Sequence, residues 1–164
     1  MSVGAREFRE ALGQYAAGVT VVTTRDGAGR PLGLTVTAFA SVSLEPPLVL
    51  VCVDNRSEAN AGFRESGMFG VSVLAEDQET VSQRFAAGGP AKFSGVDLRP
   101  GQTGVLLVPG ALAHLECRVV ASHPGGDHTI YLGQVLTLAA WPGRPLLHQG
   151  SIYCRLGPGP GGST

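Results

Sequence analysis

The pattern of apolar and polar positions changes once along the chain, near residue 18. Before that point, Phe8, Leu12 and Tyr15 recur at the spacing of one helical face. This spacing predicts an amphipathic helix over residues 6–15, with Gly18 as its stop. After that point, short runs rich in β-branched residues predict strands rather than helices.

The predicted strands are short and are separated by turn residues. An unbroken apolar run at residues 48–53 predicts a strand that is buried on both faces. Two more helices are predicted over residues 57–66, with Ser57 as the N-cap, and over residues 76–85, which begin with acidic residues. The remaining predicted strands cover residues 19–24, 33–44, 68–74, 112–122 and 129–141, with tight turns at residues 26–29 and 124–127.

This order of elements predicts a mainly β protein with short helices, in which the strands form a closed barrel. A doubly wound parallel sheet is not supported, because strands and helices do not alternate regularly. The sequence also has neither GxGxxG nor GxxxxGK[ST]. We expect one domain over residues 1–156 and a disordered tail rich in Gly, Pro and Ser over residues 157–164.

Composition limits the classes of partner. The 164 residues have a net charge of -1, which argues against binding to nucleic acid or to an anionic membrane. Only 15% of the residues are charged and 43% are hydrophobic, so part of the apolar surface is expected in a subunit interface. Cys52, Cys117 and Cys154 are far apart and odd in number, which predicts inert thiols rather than a disulfide or a metal site. With no signal sequence and no membrane span in the sequence, a cytoplasmic location is expected.

The first candidate site is a run of small hydroxyl residues. Thr35, Thr37, Ser41 and Ser43 occupy odd positions, which share one face if residues 33–44 form one strand. Such a face suits a flat heteroaromatic ring with donors and acceptors on its edge. A polar strand face in contact with water is the commoner explanation of the same pattern.

The second candidate lies between a buried strand and a helix. There the Arg56 guanidinium, the Ser57 hydroxyl and the free amides of a helix N-terminus could hold an anion, with Asn55 beside them. An ordinary N-cap next to a solvated arginine is the commoner explanation.

The third candidate is the turn that contains Asp127 and is flanked by His123 and His128. It is a weak metal site because no further ligand is nearby, but Asp127 could orient the His128 imidazole. A polar hairpin turn explains the same residues.

The fourth candidate pairs cations with aromatic rings, at Arg84-Phe85 and at Lys92-Phe93. These pairs could hold a phosphate and a ring, although such residues more often anchor loops. No nucleophile motif of the GxSxG type and no HExxH motif is present, and the acidic residues are scattered. Hydrolytic chemistry is therefore not supported.

Taken in order along the chain, several segments resemble the flavin reductase family with the FMN-binding split-barrel fold. Its members include the reductase components of two-component flavin-dependent monooxygenases. The resemblance covers about residues 6–156. The segments that support it are residues 8–12, 17–23, 33–49 with Ser-Val-Ser-Leu-Glu-Pro-Pro, 69–74, 84–86, 92–93 and Gly-Asp-His at 126–128.

This resemblance implies a fold and an activity. The fold is a Greek-key split β-barrel, present as a homodimer with the flavin near the subunit boundary. The activity is transfer of a hydride from NADH or NADPH to FMN or FAD. Reduced flavin then reaches a partner monooxygenase by diffusion.

The resemblance also assigns site residues. Many relatives have Asn-Ser where this chain has Thr37-Ala38, so Ala38 can offer only its backbone. His128 is implied to be catalytic, in the sense of lying near the nicotinamide. The implied cofactor-binding residues are Thr35, Thr37, Ala38, Phe39 and Ser41 along the isoalloxazine, Asn55, Arg56 and Ser57 at the phosphate, and Lys92, Phe93, Asp127 and Tyr153.

Three alternatives stay open at the level of the sequence. The same barrel could bind flavin without catalysis, could oxidise another substrate such as pyridoxine phosphate, or could form a structural dimer without a ligand. The sequence does not discriminate FMN from FAD, NADH from NADPH, or an exchangeable flavin from a fixed one.

Overall fold

The computed structural model describes residues 3–157, and strands predominate in this part of the chain. The mainly β prediction is confirmed. The helices are α1 (Ala5–Leu12), α2 (Ala59–Ser66) and α3 (Glu79–Ala86), and a 3-10 helix covers Pro90–Phe93. The strands are β1 (Ala17–Gly18), β2 (Thr20–Arg25), β3 (Pro31–Val36), β4 (Phe39–Leu44), β5 (Pro47–Asp54), β6 (Met68–Val73), β7 (Arg99–Pro100), β8 (Leu106–Leu107), β9 (Ala113–Gly125), β10 (His128–Ala140), β11 (Leu147–Gln149) and β12 (Ile152–Cys154).

Seven of these strands form one antiparallel sheet in the order β3-β2-β6-β9-β10-β5-β4. Its outermost strands, β3 and β4, are consecutive in the chain and are linked only by Thr37 and Ala38. The single strand predicted over residues 33–44 is therefore wrong, because the chain crosses from one edge of the sheet to the other at this link. The sheet curves enough for β3 to contact β5 as well.

Two small sheets complete the fold. In the first, β1 pairs with β11 and β11 pairs with β12, so Ala17 lies opposite His148. In the second, β7 pairs with β8.

The main core is formed by residues of the seven-stranded sheet together with helix α2. Its centre is aromatic: the ring centroids of Phe63 and Tyr131 are 4.6 Å apart, and those of Phe63 and Phe69 are 5.1 Å apart. Strand β5 contributes alternate residues to this core. Its other face, with Leu50 and Cys52, is only half-buried, so the predicted burial of residues 48–53 on both faces is wrong for the single chain.

Helix α1 differs from its prediction in both length and burial. It ends at Leu12 with Gly13 as the C-cap, whereas Gly18 belongs to β1. The predicted apolar face exists, but Phe8 and Leu12 are 57% and 52% exposed. The amphipathic pattern is real, therefore, and no part of residues 3–157 covers its apolar side fully.

The other boundaries differ by a few residues. Helix α2 has Glu58 rather than Ser57 as its N-cap, and α3 begins three residues later than predicted. The turn between β9 and β10 is confined to Gly126 and Asp127. The predicted disordered tail lies outside the described residues, apart from Gly157. No helix within residues 3–157 is long and apolar enough to cross a membrane.

Candidate functional site

A cavity of about 420 Å³ lies between β3, the loop that precedes α2, and the segment that follows α3. This volume is within the range of small-molecule sites. The cavity wall contains three cations, Arg30, Arg56 and Lys92, together with Ser57 and one acid, Glu58. Four of the residues predicted for cofactor binding thus lie on one cavity: Arg56, Ser57, Lys92 and Phe93.

Lys92 is the most buried of these cations. Its Nζ donates a hydrogen bond of 2.9 Å to the Gly33 carbonyl oxygen on β3. Burial lowers the pKa of Lys92 below its ordinary value, and the Glu58 charge opposes that effect. An ammonium group has three donors, so two remain for an anion in the cavity. Beside it, Phe93 packs edge-on against Phe85, with ring centroids 5.3 Å apart.

Arg56 is oriented by Asp54 at the end of β5. Its Nε and Nη2 donate to the two carboxylate oxygens of Asp54 at 3.1 and 2.7 Å, and its backbone amide donates to Oδ1 at 2.8 Å. These bonds from Arg56 hold the pKa of Asp54 well below its usual range. The pair is solvent-exposed, so its role is to fix a direction for the guanidinium rather than to add much stability.

The amides at the start of α2 are already used. Those of Ala59, Asn60 and Ala61 donate to the Ser57 hydroxyl, the Ser57 carbonyl and the Glu58 carbonyl, at 3.3, 3.1 and 3.3 Å. The expected set of free amides is therefore absent at these three residues. The Ser57 hydroxyl accepts a bond, and its own hydrogen remains available for a ligand.

Asn55 joins this loop to the turn between β9 and β10. Its backbone amide donates to the Asp127 carbonyl oxygen at 2.9 Å, and its Nδ2 donates to the Gly126 carbonyl oxygen at 3.2 Å. Its Oδ1 accepts a bond of 2.7 Å from the Thr129 hydroxyl. The Asn55 side chain, which was predicted to bind a cofactor, is thus occupied by protein groups.

At the same turn, the Nδ1 of His128 lies 2.7 Å from Oδ1 of Asp127. This bond to His128 lowers the pKa of Asp127. A carboxylate can only accept, so Nδ1 has the proton and Nε2 is the free ring nitrogen. The His128 side chain is 41% exposed, which leaves Nε2 accessible to a ligand.

A buried pair of residues supports the loop from below. Asn60 of α2 donates through Nδ2 to the Asp54 carbonyl oxygen at 2.7 Å, and its Oδ1 accepts a bond of 2.7 Å from the Tyr131 hydroxyl. Both side chains are buried. The sequence interpretation missed these two residues. The sequence signal that could have indicated this pair is a polar Asn at a buried position of a predicted helix.

The hydroxyl residues of the first candidate do not share one face. The Thr35 hydroxyl donates to the Ser82 carbonyl of α3 at 2.6 Å, while Thr37 is exposed in the link between β3 and β4. Strand β4 has an irregular register between Ser41 and Ser43. The shared face expected from the odd positions is therefore wrong.

The link itself runs beside β5, near the end of that strand. The Ala38 carbonyl oxygen accepts a bond of 3.0 Å from the Cys52 amide, which leaves only the Ala38 amide for a ligand. Phe39 packs on the main core, and Ser41 is exposed on β4. Leu34 of β3 lines the cavity, so the link continues from the cavity wall.

Tyr153 lies behind α3 rather than on the cavity wall. Its hydroxyl is 2.8 Å from the Ser82 hydroxyl, and its ring packs edge-on against His148 with centroids 5.5 Å apart. The same residue of α3, Ser82, also accepts the Thr35 hydroxyl. Tyr153 and Thr35 therefore both bond α3 through Ser82.

Comparisons with known proteins find matches over most of the chain. The family described as flavin reductase like domain matches residues 12–157. The chain is 45% identical over 150 residues to an FMN reductase (NADH), SmoA, from Agrobacterium fabrum, which covers 92% of this chain and 85% of that protein. It is 40% identical over 158 residues to HsaB from Rhodococcus jostii, the reductase subunit of a flavin-dependent monooxygenase, with 96% and 80% covered.

Solved structures have the same fold. The NADH:FAD oxidoreductase SgcE6 from Streptomyces globisporus, in complex with NAD and FAD fragments, superposes with a TM-score of 0.90 at 38% identity. The match covers 98% of this chain and 99% of that one.

Proposed function

The chain belongs to the flavin reductase like domain family, and from this premise we propose that the cavity and the hairpin turn bind a flavin and a nicotinamide as neighbours. The protein is an NAD(P)H-dependent flavin reductase. It transfers a hydride from NADH or NADPH to FMN or FAD, and the reduced flavin supplies a monooxygenase.

The proposed phosphate site is the cavity between the loop before α2 and the segment after α3. Arg56, Ser57 and Lys92 supply a guanidinium, a hydroxyl and an ammonium group to this one space. Charged donors of this kind suit a phosphate. Gly88 and Gly89 lie in the same segment as Lys92, and among the described residues no atom beyond their chain neighbours lies within 4 Å of an added Cβ, so this wall offers room. The convergence of these three donors is the observation on which the proposal depends.

The proposed ring site continues from the cavity along the link between β3 and β4. Thr37 would contribute its hydroxyl, and Ala38 its amide, because the Ala38 carbonyl already bonds Cys52. Phe39 and Ser41 follow on β4 as flanking residues. Thr35 would not bond the flavin through its hydroxyl, since that hydroxyl donates to α3; it would only help to shape the site.

When bound, the two cofactors supply the redox chemistry, and the hydride passes between their rings. The protein binds and orients. We assign His128 to the nicotinamide, because Asp127 fixes its tautomer and leaves Nε2 accessible. Asp127 acts through His128 rather than on a ligand.

We also propose a homodimer. Several large apolar side chains on β4, β9 and β10 are exposed, and Leu44 is 95% exposed. Exposed apolar area of this kind commonly marks a protein interface. The others are Val42, Val120, Leu136 and Leu138. Light scattering after size exclusion tests this proposal, and a monomer at micromolar concentration would contradict it.

A reducing compartment fits the cysteines. Cys52, Cys117 and Cys154 are all free thiols. Free thiols are the ordinary state in the cytoplasm. We therefore infer a cytoplasmic location, which labelling of the expressed protein in fractionated cells would test.

The test of the phosphate site is Lys92→Met, assayed with FMN and FAD against NADH and NADPH. Loss of one charged hydrogen bond should raise the flavin Kd about 10-fold or more. Arg64→Met is the matched control, because Arg64 is an exposed cation in the last turn of α2. Equal weakening in both variants would contradict the assignment of Lys92.

The wild-type protein tests the function itself. We expect NADH oxidation that needs added flavin and that clearly exceeds the rate with free flavin alone. Flavin binding without such turnover would instead support a flavin-binding protein without catalysis.

A further inference from the structure

Asn55 lies between the two parts of the proposed site. Its neighbours in the chain, Asp54 and Arg56, form the ion pair at the cavity. Its own hydrogen bonds, in contrast, go to Gly126, Asp127 and Thr129 around the hairpin turn. Its side-chain donor and acceptor thus both bond the hairpin, and Asn55 itself does not line the cavity.

The loop and the turn do not depend on Asn55 equally. The loop has a second anchor, because buried Asn60 holds the Asp54 carbonyl from below. The turn has only two residues between the strands, is exposed, and contains Gly126 at a φ of 73°. Exposed turn tips of this kind are the more mobile part of a hairpin. Without the Asn55 side-chain amide, the turn keeps only the bond from the backbone amide of residue 55 to the Asp127 carbonyl, so it should loosen more than the loop.

We propose that Asn55 is a positioning residue that couples the flavin-phosphate loop to His128. The proposal rests on the function proposed above. A ligand that orders Arg56 and Ser57 also orders Asn55, and through Asn55 it orders the turn that precedes His128. Coupling of this kind is reciprocal, so each ligand raises the affinity for the other.

The kinetic test compares three variants. Asn55→Ala removes both side-chain bonds, and Thr129→Val removes the hydroxyl while keeping the shape of the side chain. Thr129→Ser is the matched control, because it keeps the hydroxyl. We expect the NADH KM to rise about 10-fold in Asn55→Ala and about 3-fold in Thr129→Val, since one hydrogen bond is lost in the second case and two in the first. The flavin Kd should change less than 2-fold, and Thr129→Ser should behave as wild type.

A second readout does not use catalysis. Amide hydrogen exchange at residues 126–128 should slow when FMN binds the wild-type protein. In Asn55→Ala, exchange at the turn should be faster and its response to FMN should be smaller, because only the backbone bond from residue 55 to the Asp127 carbonyl remains. Thr129→Ser should retain the response.

Two results would overturn the coupling. If Asn55→Ala weakens flavin binding as much as it raises the NADH KM, Asn55 is a flavin ligand. If the turn responds to FMN equally in Asn55→Ala and wild type, Asn55 does not couple the two parts. Neither result resembles failure of the proposed function, which would appear as wild-type protein without flavin-dependent NADH turnover.

Discussion

The hairpin of β9 and β10 has polar groups at its turn, where they are exposed, and in its middle, where they are buried. At the turn, Asp127 is 88% exposed and His128 retains a free ring nitrogen. In the middle, Glu116 and Cys117 are buried. Across the described residues 3–157, no buried side-chain nitrogen or oxygen lacks a hydrogen-bond partner. In the middle of the hairpin, hydrogen-bonding groups are thus satisfied within the protein. At its turn, such groups remain available to a ligand.

Glu116 illustrates how a buried polar group in the middle of the hairpin is hydrogen-bonded within the protein. Its carboxylate accepts bonds of 2.9 Å from the Gln102 amide and 2.6 Å each from the Thr103 amide and hydroxyl. Burial alone would raise the pKa of Glu116, but the bonds from Thr103 and Gln102 outweigh it, and the pKa lies below its ordinary value. Next to it, burial raises the pKa of Cys117 to about 12, so this thiol is inert.

The largest effect is expected in the middle of the hairpin, at Gly133. A Cβ there would clash with Cζ of Phe69 and lie 3.0 Å from Cβ of Cys117. Because Phe69 is fully buried, the ring cannot move aside freely. Gly133→Ala should lower the free energy of unfolding by about 3 kcal/mol, measured by urea denaturation. Gly18→Ala is the control, since no atom lies within 4 Å of its added Cβ, and a similar loss in both would refute the packing argument.

An intermediate effect is expected for Glu116→Gln. At pH 7 this variant should unfold with a free energy about 1–3 kcal/mol lower, because its amide group cannot accept all three bonds. The folded pKa of Glu116 lies below its ordinary value of 4.5, so its stabilisation is complete above pH 4.5 and is lost as the pH falls through the folded pKa. The difference from wild type should therefore narrow below pH 4.5.

The control for Glu116 is Glu10→Gln, because Glu10 is exposed on α1. Its unfolding free energy should match wild type at each pH, within about 0.5 kcal/mol. A difference for Glu116→Gln that is as large at pH 3 as at pH 7 would show that its ionisation is not linked to folding.

The smallest effect on stability is expected at the turn. Asp127→Ala should leave the free energy of unfolding within about 0.5 kcal/mol of wild type. It removes the acceptor that holds Nδ1 of His128, so the NADH KM should rise about 5-fold in steady-state kinetics. Asp97→Ala, at an exposed acid paired with Arg99, should change neither quantity. If Asp127→Ala lowered the free energy of unfolding without changing the NADH KM, the turn would have a structural role, like the middle of the hairpin.

Local signals in the sequence predicted the long hairpin well. Residues 112–122 and 129–141 have extended apolar patterns around a Gly-rich turn, and they became β9 and β10 within a few residues. The break between β3 and β4 could not be predicted from local sequence signals, because Thr37 and Ala38 have no strong preference against a strand. The break is imposed by the sheet, which places β3 and β4 at opposite edges.

The site was predictable to the same degree. The residue types at the proposed phosphate site and at Gly-Asp-His were recognisable, and the resemblance implied roles for them. The bonds among them were not, because Asn55 and Gly126 are 71 positions apart in the chain. The hydrogen bond from the Thr35 hydroxyl to the Ser82 carbonyl is likewise a long-range contact, and no local sequence pattern predicts it.

The pairing of β1 with β11 has a consequence for how the chain folds. Ala17 lies opposite His148, so β1 cannot pair with β11 until residue 148 has been synthesised. Contacts between residues so distant in sequence slow folding, because a long loop must close before they form. During synthesis β1 therefore stays unpaired until β11 is available.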